Sequence, residues 1–139
     1  MIILDTNVLS EVMRPAPSAR VLSWLAGEPA SGLFTTTITQ AEILYGIELL
    51  PKGRRRKALE SAVEAMFEED FRDRILPFDS SAARVFPKIA AARWASGCPL
   101  TQFDAQIAAI ARVHGATVAT RNTADFENCE VEVVNPWSA

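Results

Sequence analysis

Four acidic residues, Asp5, Glu42, Asp104 and Asp125, are set apart by where they fall in the chain. Asp5 ends the apolar run Ile2-Ile3-Leu4, and Glu42 lies just beyond Leu33 to Thr37, a stretch rich in β-branched residues. Asp104 opens the segment after Gly97-Cys98-Pro99, and Asp125 stands in a polar stretch after Thr117 to Thr120. Carboxylates gathered without a lysine between them repel or raise one another's pKa. Oxygen-only donors of this kind suit a hard cation such as Mg²⁺. A cation so held activates water and stabilises charge on a phosphodiester. Each acid also has a plainer use: Asp5 as a helix cap, Glu42 as the partner of Thr39 in a Thr-x-x-Glu capping box, Asp104 against a helix dipole, Asp125 in a turn. Their shared placement is what points to one site.

That placement follows from the elements around them. Ile2 to Leu4 reads as a strand buried on both faces. Val8 to Met13 forms a short helix that Pro15 stops, and Ser18 caps a second helix ending at Gly27. Leu33 to Thr37 is the second strand, followed by a helix that begins at Thr39 and stops at Pro51. A helix carrying Leu59, Val63, Met66 and Phe67 comes next, then a short strand and turn over Arg74 to Asp79. Ser80 or Ser81 caps a helix from Ala82 to about Ser96 on which Val85, Ile89, Ala92 and Arg93 recur at helical spacing. Phe103 to His114 is a helix closed by Gly115, and Thr117 to Thr120 is a strand. Arg121 to Phe126 is a polar loop, and Val131 to Val134 is the last strand. Strands alternating with helices imply an α/β fold, a parallel sheet of five strands covered by helices on both faces. Such sheets bind ligands at the carboxyl ends of their strands, and all four acids converge on that edge.

Composition narrows the chemistry. The chain has 139 residues, 49% hydrophobic and 22% charged, which fits one globular domain over residues 1–139. The net charge of −3 excludes a broad basic surface for nucleic acid, so contact with a polyanion must be local or bridged by cations. One histidine, His114, and two cysteines, Cys98 and Cys129, leave little room for zinc or a disulfide scaffold. No segment approaches the run of about 18 apolar residues that spans a bilayer. The start lacks the basic region of a signal peptide, so a cytoplasmic protein without membrane contact is expected.

Four blocks together carry a resemblance. They are Ile3-Leu4-Asp5-Thr6-Asn7-Val8, Ile38 to Gly46 around Glu42, Phe103-Asp104-Ala105-Gln106 to Ala109, and Ala119-Thr120-Arg121-Asn122-Thr123-Ala124-Asp125-Phe126. In this order, in so short a chain, they resemble the PIN-domain ribonucleases and, within them, the VapC-type toxins of bacterial toxin–antitoxin pairs. The closing Asn135-Pro136-Trp137 and Leu76-Pro77-Phe78-Asp79 look most like the FitB branch. The resemblance implies a PIN-like fold and Mg²⁺-dependent cleavage of RNA, with Mn²⁺ able to substitute. Asp5, Glu42, Asp104 and Asp125 become the catalytic acids, with Asp5 and Asp104 as metal ligands. Either Asn122 or Asp125 fills the fourth position. Thr6 or Thr120 is placed to hydrogen-bond a ligating carboxylate, and Arg121, beside the site, either touches a substrate phosphate or pairs with a neighbouring carboxylate. The resemblance further implies a homodimer, a small antitoxin as partner, and DNA contact only through that antitoxin. One departure is the pair Gln102-Phe103 before the third acid, where relatives often carry a small residue.

Two other readings stand beside it. A phosphatase with an aspartyl nucleophile commonly has Asp-x-Asp after its first strand, and Asn7 occupies the third place here. A non-catalytic PIN module, binding protein partners in a DNA-binding repressor complex, would be favoured by loss of a core acid, yet Asp5, Glu42 and Asp104 are all present. The basic stretch Lys52 to Lys57 either steers RNA through phosphate contact or is simply a solvated face.

Overall fold

A computed structural model describes all 139 residues. Strand β1 (Ile2–Leu4) lies at the centre of the sheet, between β2 (Leu33–Thr36) and β4 (Thr117–Ala119). With β3 (Ile75–Leu76) outside β2 and β5 (Glu132–Val134) outside β4, the order is β3-β2-β1-β4-β5. Every pairing is parallel, with Ile3 opposite Phe34 on one side and Val118 on the other. The connections carry helices α1 (Thr6–Val12), α2 (Ala19–Ala26), α3 (Thr37–Glu48), α4 (Arg54–Ala65), α5 (Ser80–Ala95) and α6 (Gln102–His114). This is the five-stranded parallel sheet that the alternation of patterns required.

Successive strand residues point to opposite faces, so the sheet has a core on each side. Ile3 and Val118 pack against Ala82 and Ile89 of α5 and Ile107 to Ala111 of α6. Leu4 and Ala119 pack the other way, against Val8, Leu9, Val21, Ile43 and Val63 of α1 to α4. Asp5, buried at the end of β1, is thus anchored from both faces. The chain runs outward through β2 and β3, then crosses back to β4 on the other side of β1. The reversal opens a crevice between the carboxyl ends of β1 and β4, the usual ligand position in an open parallel sheet.

Three local expectations shift. Thr39 is not the cap of α3: the Thr36 hydroxyl accepts from the Thr39 N–H at 3.1 Å, and the helix starts at Thr37. The strand ends at Thr36 because its pairing with Leu76 ends there, so Thr36 is the residue left extended at the helix entrance. Thr39 is then fully buried and Glu42 falls in the second turn, so no capping box exists. Asp79, rather than Ser80 or Ser81, caps α5 through the Ala82 N–H at 3.0 Å. Part of the expected polar loop, Thr123–Phe126, is a 3₁₀ turn that buries Phe126. The helix α4 also runs into a π-helical turn, Met66–Asp70, which carries Phe67 into the core. No helix is long and apolar enough to cross a membrane.

Candidate active site

Asp5 is held by residues from both sides of the crevice. Its Oδ1 accepts from the Thr6 N–H at 2.8 Å, capping α1, and its Oδ2 accepts from the Thr120 hydroxyl at 2.8 Å. Asn7 Nδ2 donates to Thr120 Oγ1 at 3.1 Å and to Asp5 Oδ2 at 3.4 Å. Asn7 Oδ1 in turn accepts from the Arg121 N–H at 3.2 Å. The Asn122 N–H donates to Thr120 Oγ1 at 3.1 Å. The expected support of an acid by Thr120 is therefore present as geometry. Thr6 plays the same part for another acid: its hydroxyl donates to Glu42 Oε1 at 2.9 Å and also hydrogen-bonds the Thr39 hydroxyl at 3.1 Å. Asp104 enters from the first turn of α6, which Thr101 caps by accepting the Asp104 N–H at 3.2 Å.

Asp5, Glu42 and Asp104 line one cavity of about 480 Å³, together with Thr6, Asn7 and Asn122. Ser10, Glu11, Arg14, Arg121 and Trp137 complete its walls. Asp125 does not line it. It sits on the 3₁₀ turn behind Asp104, close enough for its charge to push the Asp104 carboxyl up. At the fourth position, Asn122 is the residue that faces the cavity.

The electrostatics are those of acids without an ion-pair partner; among them only Asp104 is eased by a cation, the charge of Arg93. Burial holds the Asp5 carboxyl at about 6, against the opposing pull of the Thr120 and Thr6 hydrogen bonds; the charges of Asp104 and Glu42 add to the rise. Burial likewise raises Glu42 and Asp104, with the Asp104 charge adding at Glu42. None of the chain's ion pairs (Arg14–Glu11, Arg56–Glu48, Arg56–Glu60, Arg112–Glu130) involves these acids. Desolvated, oxygen-only and unpaired, this donor set fits a hard divalent cation that shares its shell with water and a phosphate.

A pH dependence follows. An aspartate of the unfolded chain titrates near 3.9, so between about pH 4 and 6 the native state binds the extra proton at Asp5. Stability from this group is therefore present at low pH and lost as pH rises through about 6. Over the whole window this corresponds to about 2–3 kcal/mol. Crowding alone predicts that Asp5→Asn raises the metal-free melting temperature. The hydrogen bonds oppose this, because an amide has one acceptor where Asp5 uses both, and the lost pairing costs about 1–3 kcal/mol. The pH trend separates the two terms. In EDTA, the stability of Asp5→Asn relative to the parent should improve by about 2 kcal/mol from pH 4.5 to 7.5. A difference that stays constant with pH would show that Asp5 is not desolvated.

Reading the sequence missed Asn7, Glu11 and Trp137. Asn7 has a signal in hindsight, since it completes Asp5-Thr6-Asn7 at the end of the central strand. Glu11 lies one helical turn beyond Asn7, hence on the same face of α1. Its carboxylate is buried, accepts from the Ser18 N–H at 3.0 Å and pairs with Arg14 at 3.1 Å. The Ser18 bond, first, and Arg14 hold its pKa below the usual glutamate value. The basic stretch divides. Arg56 is consumed internally, by Glu48 at 2.9 Å, Glu60 at 2.8 Å and the Leu50 carbonyl at 3.2 Å, where it ties α4 to the end of α3.

Comparison with known proteins agrees with this geometry. The PIN domain family model matches residues 2–130. The chain is 42% identical over its full length, and that of the relative, to the plasmid stability protein StbB of Pseudomonas syringae pv. tomato. It is 37% identical to the VapC ribonuclease Y4jK of Sinorhizobium fredii, over 99% of this chain and 98% of that one. The crystal structure of FitAcB from Neisseria gonorrhoeae superposes with a TM-score of 0.94 at 39% identity, covering all of both chains. The structure of FitAB bound to a DNA fragment gives 0.93 at the same identity, over 99% of this chain and 96% of that one. A parallel sheet in the order β3-β2-β1-β4-β5, three carboxylates at its central crevice and matches along nearly the whole chain leave one assignment: the chain belongs to the PIN domain family.

Proposed function

We propose that this chain is an endoribonuclease that depends on Mg²⁺, with Mn²⁺ as a substitute, and is the toxin of a type II toxin–antitoxin pair. The observation that carries the chemistry is the set of three desolvated carboxylates, unpaired with any cation, at the crevice between β1 and β4. Relatives named as a VapC ribonuclease and as part of the FitAB complex, alike over nearly the whole chain, support the substrate class and the toxin role.

In this reading Asp5 and Asp104 hold the metal and Glu42 completes the acidic wall. The bound cation supplies activation of water and neutralisation of charge at the scissile phosphate. The chain's own residues arrange the rest. Thr120 and the Thr6 N–H fix both oxygens of Asp5, so its orientation is set before any ligand arrives. The Thr6 hydroxyl fixes Glu42 Oε1 and leaves Oε2 without a protein partner, available to take a proton. Asn122 stands in the cavity at the fourth position, and Asp125 acts on Asp104 from behind by its charge.

The partners are RNA as substrate, a small antitoxin, and a second copy of the chain as homodimer; DNA is met through the antitoxin. Exposed Tyr45 on α3, exposed Leu49 at the cap of its C-terminus, and exposed Trp94 support surfaces that a protein partner covers. The test of the chemistry uses purified protein and total RNA. Cleavage should vanish in EDTA and return with Mg²⁺ or Mn²⁺, leaving 5′-phosphate and 3′-hydroxyl ends. Ends carrying a 2′,3′-cyclic phosphate, formed undiminished in EDTA, would refute water attack assisted by metal.

A further inference from the structure

The acidic cleft also contains two arginines, and each is held in place by a different residue. Arg121 follows Thr120 at the carboxyl end of β4, with its N–H on Asn7 Oδ1. Its guanidinium lies over the Trp137 indole, 5.1 Å from the ring centroid, and makes no ion pair. Trp137 is itself placed by its N–H on Asn135 Oδ1 at 2.9 Å. A cation–π contact of this kind holds the guanidinium against the ring while leaving its N–H groups free to pair with phosphate oxygens. Arg14 stands on the other side of Glu11. One of its nitrogens holds the buried Glu11 carboxylate, at 3.1 and 3.3 Å from the two oxygens, while the side chain stays 63% exposed.

These charges are grouped rather than mixed. The cations that act on Glu11 are Arg14 and Arg121, whereas the charges that act on Asp5 are Asp104 and Glu42. Glu11 is therefore the one cleft acid already neutralised by protein, and it draws two arginines to the same part of the wall. An arginine with no role beyond pairing would leave its charge spent on a carboxylate. Here Arg121 has no such partner, and Arg14 keeps most of its surface in solvent.

Resting on the reading of the cleft as an RNA-cleaving site, we propose that Arg121 and Arg14 bind phosphodiester groups flanking the scissile one, with Trp137 and Glu11 as the residues that position them. An acidic protein thereby holds a polyanion beside its own carboxylates: the repulsion at the metal-binding wall is offset at the adjoining one. Arg121 reads the backbone and not the bases, so this contact adds affinity without sequence preference.

The test measures binding apart from cleavage. A fluorescein-labelled single-stranded 12-nucleotide RNA is titrated with Asp104→Asn protein in EDTA at several salt concentrations. Each phosphate contact on a single strand contributes about 0.7 to the slope of log K against log salt. Adding Arg14→Ala and Arg121→Ala together should lower that slope by about 1.4, and either alone by about 0.7. The double lysine variant keeps both charges and should retain the slope, which separates phosphate contact from misfolding. Trp137→Leu, with the arginine retained but unsupported, should weaken binding several-fold. In protein with Asp104 intact, the two alanine substitutions should raise KM by more than they lower kcat. An unchanged salt slope in the double alanine variant, or no binding of RNA by the parent, overturns the proposal. Failure of the catalytic reading is seen separately, as cleavage that survives Asp104→Asn.

Discussion

Asp104→Asn protein should cleave RNA at least about 100-fold more slowly than the parent while melting at the same temperature or higher. The change removes one charge from the cleft and almost nothing else. The contact that starts α6 uses the Asp104 backbone N–H, which asparagine retains, and the amide oxygen can still accept the Thr101 hydrogen bond at the side chain. Its carboxyl is held high by burial, with the Asp125 charge adding to the rise and the Thr101 hydrogen bond and Arg93 charge opposing it, so neutralising it relieves the folded state. The loss of rate comes from metal affinity. Mutating even an outer partner of a metal ligand typically costs 10–100-fold, and a ligand itself should cost more. The measurement pairs a cleavage assay at the Mg²⁺ concentration that half-saturates the parent with thermal unfolding in EDTA. Parental activity would remove Asp104 from the site. A large drop in melting temperature would instead mean that its charge supports the fold.

The second large effect lies outside the cleft. Arg93→Ala should destabilise the protein by about 3–5 kcal/mol, because three carbonyls lose a charged donor. Arg93 is buried on α5; its Nε donates to the Cys98 carbonyl at 2.8 Å, and one terminal nitrogen donates to Ala124 at 3.1 Å and Glu127 at 2.7 Å. It joins the end of α5 to the turn that carries Asp125. For a chain of this length the change corresponds to a fall of roughly 10–17 °C in melting temperature. Arg93→Lys, with a single ammonium and no planar fork, should recover only part of it. A fall of less than about 2 °C in Arg93→Ala would show that water replaces the guanidinium at all three carbonyls.

Arg93 also shows where reading the sequence stops. Its spacing from Val85 and Ile89 places it on the inner face of a helix, and it is on that face. Nothing in the spacing says that the buried charge is answered by three carbonyls, two of them more than 30 residues away. The same division runs through α3. A threonine cap after the second strand is legible, but Thr36, Thr37 and Thr39 are alike as cap types. The pairing of Thr36 with Leu76 chose among them, and with it moved Glu42 from an expected capping role to a cavity wall where Thr6 holds it.

What the chain settled locally was its periodicity and its punctuation. The apolar run Ile2 to Leu4, the stretch from Leu33 to Thr36 and the Ala- and Ile-rich stretch closed by Gly115 each occupy the element expected of them. Strand and helix repeat at 2 and 3.6 residues, and such periods are written in consecutive positions. The order of those elements was enough to place Asp5, Glu42 and Asp104 on one edge. The pairing inside that edge belongs to the folded molecule alone. Asp5 meets Thr120, 115 residues away, Asn122 rather than Asp125 faces the cavity, and Trp137 lies under Arg121. These depend on strand register, on the crossover that sets β4 beside β1, and on the direction each side chain takes. Such contacts join residues distant in sequence, and a distance of 3 Å between them leaves no mark on the neighbours of either.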